Sequence, residues 1–62
     1  MSRIVKALSP EGLREIYTFE KNKVIYEAYS DKGLEKKEIL SIKEANKRLN
    51  EKRFILSETV KG

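Results

Sequence analysis

Chemistry in this chain would have to come from nine Glu, one Asp, five Ser, three Tyr, ten Lys and four Arg, because its 62 residues include neither His nor Cys. Without His the chain lacks the side chain that most often moves protons near neutral pH or ligates a metal. Without Cys there is no thiolate ligand and no disulfide. Ser2, Ser9, Ser30, Ser41 and Ser57 have no His to activate them, so a Ser–Lys pair is the one nucleophilic arrangement the composition leaves. Asp31 stands in Ser30-Asp31-Lys32-Gly33, where Asp favours a turn and Gly supplies positive φ. The glutamates are scattered among Lys and Arg in the manner of a solvated face. Gly12, Gly33 and Gly62 are too far apart to cradle a phosphate, and no calcium-loop spacing occurs. The expectation is a protein that is not an enzyme and uses no cofactor and no metal.

Binding is the chemistry left over. The formal net charge is +4, and the excess is concentrated. Residues 43–53 carry five basic groups, Lys43, Lys47, Arg48, Lys52 and Arg53, against two acidic ones, while residues 1–42 carry eight basic and seven acidic. Cations grouped on a helix can neutralise phosphates and release counterions. These five are therefore the candidate nucleic-acid contacts, as phosphate ligands rather than base readers. The plainer reading of the same residues is a solvated helix end that complements the helix dipole.

The elements that would position these groups follow from periodicity. Ser2–Leu8 alternates as a short strand does, although Ile4 and Leu8 are also one helical turn apart. Ser9-Pro10-Glu11-Gly12 closes it as a turn. Leu13–Glu20 and Lys23–Tyr29 are rich in β-branched and aromatic residues and flank Lys21-Asn22, a two-residue loop in which Asn tolerates positive φ. That loop length pairs Phe19 with Val24, Tyr17 with Tyr26 and Glu15 with Ala28. One hairpin face then carries Leu13, Tyr17, Phe19, Val24, Tyr26 and Ala28, the pattern of a core face rather than of a base-stacking platform. Asp31-Lys32-Gly33 suits a three-residue loop into a third strand, about 34–40, in the register Ile25–Ile39 and Glu27–Lys37. Ser41-Ile42-Lys43-Glu44 is a capping box, and Ile42, Ala45 and Leu49 form one stripe of a helix over about 42–51. Residues 53–60 alternate again as a last strand.

From Ile16 to Glu51 the order is strand, tight turn, strand, turn, strand, capped helix. That run resembles the small arm-type DNA-binding domains of tyrosine recombinases, whose helix opens with a T-x-x-E-A segment comparable to Ser41-Ile42-Lys43-Glu44-Ala45. The resemblance implies a three-stranded sheet packed on one helix, with the outer sheet face in the major groove. The chain departs from that pattern in placing Glu20, Glu27 and Glu35 where phosphate would lie, so no binding residue is carried over.

The sequence thus predicts one small α+β domain over residues 1–62. It is an antiparallel meander of three to five strands with one helix on one face and a C-terminal strand; a five-stranded barrel is the alternative. The longest apolar run is three residues, so no membrane span is expected, and a cytoplasmic setting is. Ile16, Ile25, Tyr29 and Ile39 fall on the face the helix does not claim. With Phe54 and Leu56 they make a candidate oligomer interface. A chain this short buries only roughly 60% of its unfolded surface, and without disulfides or metals self-association would supply what the core lacks. The function expected is a small regulatory binding protein acting through protein–protein contacts, most simply as a homodimer. The alternative is a nucleic-acid-binding module using the basic helix.

Overall fold

The computed structural model describes residues 2–51 and 55–61. Its elements in chain order are β1 (Ser2–Leu8), β2 (Arg14–Phe19), β3 (Val24–Ser30), β4 (Gly33–Leu40), α1 (Ile42–Glu51) and β5 (Ile55–Lys61). The strands form one antiparallel sheet in the order β4-β3-β2-β1-β5, so the α+β architecture with a single helix and a final strand is the one the periodicity predicts. The barrel alternative is not realised, because β4 and β5 stand at opposite edges of the sheet.

Three turns set the meander. After β1, the Gly12 amide donates to the Ser9 carbonyl at 3.0 Å and the Leu13 amide to Ser9 Oγ at 3.0 Å, with Gly12 at φ 88°. The β2–β3 register has Phe19 opposite Val24, Tyr17 opposite Tyr26 and Glu15 opposite Ala28, as the loop length implies. Its chemistry differs from expectation: neither Lys21 nor Asn22 has positive φ, and the turn closes through the Glu20 amide donating to the Lys23 carbonyl at 2.8 Å. At the next turn Gly33 does take positive φ, at 111°. It pairs with Ser30, however, so the loop is the two residues Asp31-Lys32 and the spare residue sits in a bulge beside Tyr29. Beyond that bulge Ile25 faces Ile39 and Glu27 faces Lys37, as expected.

Helix α1 starts where the capping box places it. The Glu44 amide donates to Ser41 Oγ at 3.1 Å, which satisfies one of the orphan donors of the first turn. Ala45 and Leu49 are buried against Val5, Tyr17, Phe19, Val24, Tyr26, Ala28 and Leu40, so the helix lies on the aromatic face. The tilted Tyr17 and Tyr26 rings, 5.0 Å apart, form the centre of that core. They are packing residues and are not free to stack on bases.

Candidate functional site

Three groups of residues could carry function, and the sheet register sorts them. Cross-strand partners share a face, so the face away from the helix carries three rows. The first is Ile4, Thr18, Ile25 and Ile39. The second is Lys6, Ile16, Glu27 and Lys37. The third is Leu8, Arg14, Tyr29 and Leu34. The four candidate interface residues Ile16, Ile25, Tyr29 and Ile39 are therefore brought together on this outer face. Ile4 joins them, a member the sequence reading missed although its alternation with Val5 could have found it. Ile39 keeps 60% of its surface exposed, and Ile4, Ile16, Ile25 and Tyr29 are half-buried. Leu56 of β5 joins Lys6, Arg14, Ile16 and Tyr29 in lining a concavity of about 480 Å³. Phe54 lies outside the described residues.

The electrostatics of this face are basic with one local exception. Lys6, Arg14 and Lys37 project among the apolar groups, and Glu27 is the carboxylate set within the three rows. Glu27 is engaged twice: Lys37 stands opposite it, and Tyr29 Oη donates to its Oε2 at 3.0 Å. That hydrogen bond raises the Tyr29 pKa above its ordinary value. The surface thus offers aliphatic area framed by three cations.

The helix candidates separate. Lys43 and Lys47 are exposed and one turn apart. Arg48 is half-buried and committed to the fold: Nη1 reaches Glu38 Oε2 at 3.4 Å, Nε reaches Glu44 Oε1 at 3.5 Å, and the guanidinium lies 5.5 Å from the centroid of the Tyr26 ring. Burial lowers its pKa, but the Glu38 and Glu44 contacts outweigh that and the net direction is upward. Lys52 and Arg53 lie outside the described residues.

The third group is polar and internal. Glu15 is 4% exposed, on the core face, where its Oε2 accepts a 2.5 Å hydrogen bond from Tyr26 Oη. This corrects the reading of all the glutamates as solvated. Its alternation with Tyr17 and Phe19 was the signal that it points inward. The neighbouring Tyr17 hydroxyl is buried without a hydrogen bond of good geometry among the described residues, and burial pushes its pKa up to about 12. Burial and the bond to Glu15 raise Tyr26 as well. A carboxylate between two phenols held neutral by burial binds the core together, and it is closed to substrate.

Among the described residues, no helix is long and apolar enough to cross a membrane. No family model, curated protein or solved structure matches this chain significantly.

Proposed function

We propose that this is a non-catalytic binding protein of the cytoplasm whose working surface is the outer face of its sheet. The observation that carries the reading is the register itself. Ile4, Ile25 and Ile39 share one cross-strand row on the face opposite the helix, with Ile16 and Tyr29 in the rows beside it. A sheet face normally needs one covered side, and α1 supplies that cover to the aromatic side. The other side presents apolar area that water does not favour, framed by Lys6, Arg14 and Lys37. The chemistry that fits is a protein partner presenting aliphatic side chains flanked by carboxylates. Shape and apolar area would give affinity, and the cations would steer encounter.

A photo-crosslinking residue placed at Ile39 tests this in the cells that make the protein. A discrete protein adduct is expected, and Ile25→Lys should abolish it. A crosslinker at Lys43, on the helix, serves as the control and should give none. The absence of any protein adduct from position 39 would overturn the reading. The nucleic-acid alternative rests on Lys43, Lys47, Lys52 and Arg53 once Arg48 is engaged with Glu38 and Glu44. A titration with duplex and single-stranded probes at two salt concentrations tests it, because phosphate-driven affinity must fall steeply with salt.

A further inference from the structure

Both edge strands of the sheet are bulged at the same level. Ala7, Glu15 and Ala28 form one cross-strand row. Beside that row on β5, Ser57 pairs with Lys6 and Ile55 with Ala7, which leaves Leu56 as an extra residue. Beside it on β4, Lys36 pairs with Ala28 and Leu34 with Tyr29, which leaves Glu35 as another. A bulge bends its strand and re-aims a side chain. The concavity of about 480 Å³ lies at this level, and the extra Leu56 lines it together with Lys6, Arg14, Ile16 and Tyr29. Small-molecule sites have volumes of roughly 300–1,000 Å³ and mostly apolar walls with a few convergent polar groups.

The two cations of the lining are unspent. Arg3 and Arg48 each hold a carboxylate and lie over an aromatic ring. Lys6 and Arg14 do neither: among the described residues they have no ion pair and no side-chain hydrogen bond. Lys6 stands opposite Ile16, and Arg14 precedes Ile16 by two residues on the same strand. The cations are therefore diagonal neighbours on one face, within reach of a single ligand group. The acids nearby do not neutralise them. Glu27 accepts the Tyr29 hydroxyl, a bond that also holds the Tyr29 ring in place. Glu15 borders the concavity, but its carboxylate accepts from Tyr26 Oη on the core side. Asp31 belongs to the turn between β3 and β4, whereas Lys6 is on β1. We propose that this concavity binds a small organic anion, an apolar body of one or two rings carrying a single carboxylate. The carboxylate lies between Lys6 and Arg14, which donate charge-assisted hydrogen bonds to it. The rings lie against Ile16, Leu56 and the ring of Tyr29. A second carboxylate at the far end would meet Asp31, which limits the ligand to one. The proposal goes beyond the protein-partner reading and does not rest on it, since Ile25 and Ile39 lie outside the lining.

A backbone-amide NMR titration of the full chain with three probes of one ring system tests this: indoleacetate as the anion, indoleacetamide as its neutral counterpart and tryptamine as the cation. Indoleacetate should bind saturably, with shifts confined to residues 6–8, 14–16, 29–33 and 55–57. It should bind about tenfold tighter than indoleacetamide, the effect expected of two exposed charge contacts, and tryptamine should bind most weakly. Lys6→Gln combined with Arg14→Gln should reduce indoleacetate to the affinity of indoleacetamide, Leu56→Ala should weaken both, and Asp31→Asn should weaken neither. The comparison of probes on the wild type needs no variant, so it decides the matter even where a substitution disturbs folding. The proposal is overturned by the absence of saturable shifts with indoleacetate, by equal affinity for indoleacetamide, by tighter binding of tryptamine, or by shifts centred on Ile25 and Ile39. None of these results bears on whether position 39 captures a protein partner, so the two readings fail separately.

Discussion

Tyr17 and Tyr26 are neighbours opposite each other in the β2–β3 hairpin, yet removing their hydroxyls should have opposite consequences. Tyr26 Oη donates to the buried Glu15 carboxylate at 2.5 Å, whereas the Tyr17 hydroxyl is buried without a hydrogen bond of good geometry among the described residues. Tyr26→Phe keeps the ring that packs on Tyr17 and lies under Arg48, and deletes only the donor. A hydrogen bond to a charged group is worth about 1.5–3 kcal/mol net, and the carboxylate left behind is still buried. The expected loss is therefore about 2 kcal/mol. A 62-residue domain holds roughly 3–9 kcal/mol in total, so this is a large share. For a domain of this size it corresponds to a fall in Tm of roughly 8–16 °C. Tyr17→Phe deletes a hydroxyl whose desolvation is not repaid, so stability should stay within about 0.5 kcal/mol of wild type or rise. Urea unfolding followed by far-UV circular dichroism gives both values from one assay. Equal costs for the two substitutions, or a Tyr26→Phe variant as stable as wild type, would refute the account of Glu15 as an internal acceptor.

The same phenols make stability alkali-sensitive. Tyr17 is raised from 10.0 to about 12 in the fold, so the neutral phenol is the form the native state prefers. Its contribution is full below pH 10 and is lost as pH climbs through about 12. The shift is worth about 2–3 kcal/mol. Urea midpoints that stay flat across this alkaline range would contradict it. At the helix start, Ser41→Ala removes the acceptor for the Glu44 amide and should cost about 1 kcal/mol. An unchanged urea midpoint would show that the cap contributes nothing.

Local pattern made much of this fold legible. A two-residue loop between alternating runs admits one register, so Tyr17–Tyr26 and, past the second turn, Ile25–Ile39 could be paired from spacing alone. Ser41 and Glu44 announced the helix because capping is a contact between residues three apart. What escaped needed information from outside the segment. Glu15 shares the parity of Tyr17 and Phe19, but its charge argued for solvent, and the Tyr26 hydroxyl that makes its burial tolerable lies across the hairpin. Arg48 was placed among the candidate phosphate contacts: its i,i+4 pairing with Glu44 is legible locally, but its pairing with Glu38 depends on how the helix lies over β4. The turn residues were misjudged in detail for a similar reason: Asn22 permits positive φ without requiring it, and a bulge absorbed the residue that a three-residue loop would have used.

The open face traces to the path of the chain between β4 and β5. The chain leaves β4 at one edge and must deliver β5 to the other, four strand spacings away, or about 19 Å at roughly 4.8 Å each. Ten helical residues span about 15 Å. β4 and β5 run in the same direction, so the chain must also travel the length of the strands, from the row of Leu40 to the row of Ile55. One ten-residue helix buries a narrow stripe, Ala45 and Leu49, on the aromatic face and leaves Ile42 partly exposed at its start. Ile55, Leu56 and Val60 of β5 stay exposed. A single crossing also means that the second face of the sheet goes uncovered by this helix. The apolar outer face is thus a result of economy of length, and it is the surface on which the proposed function rests.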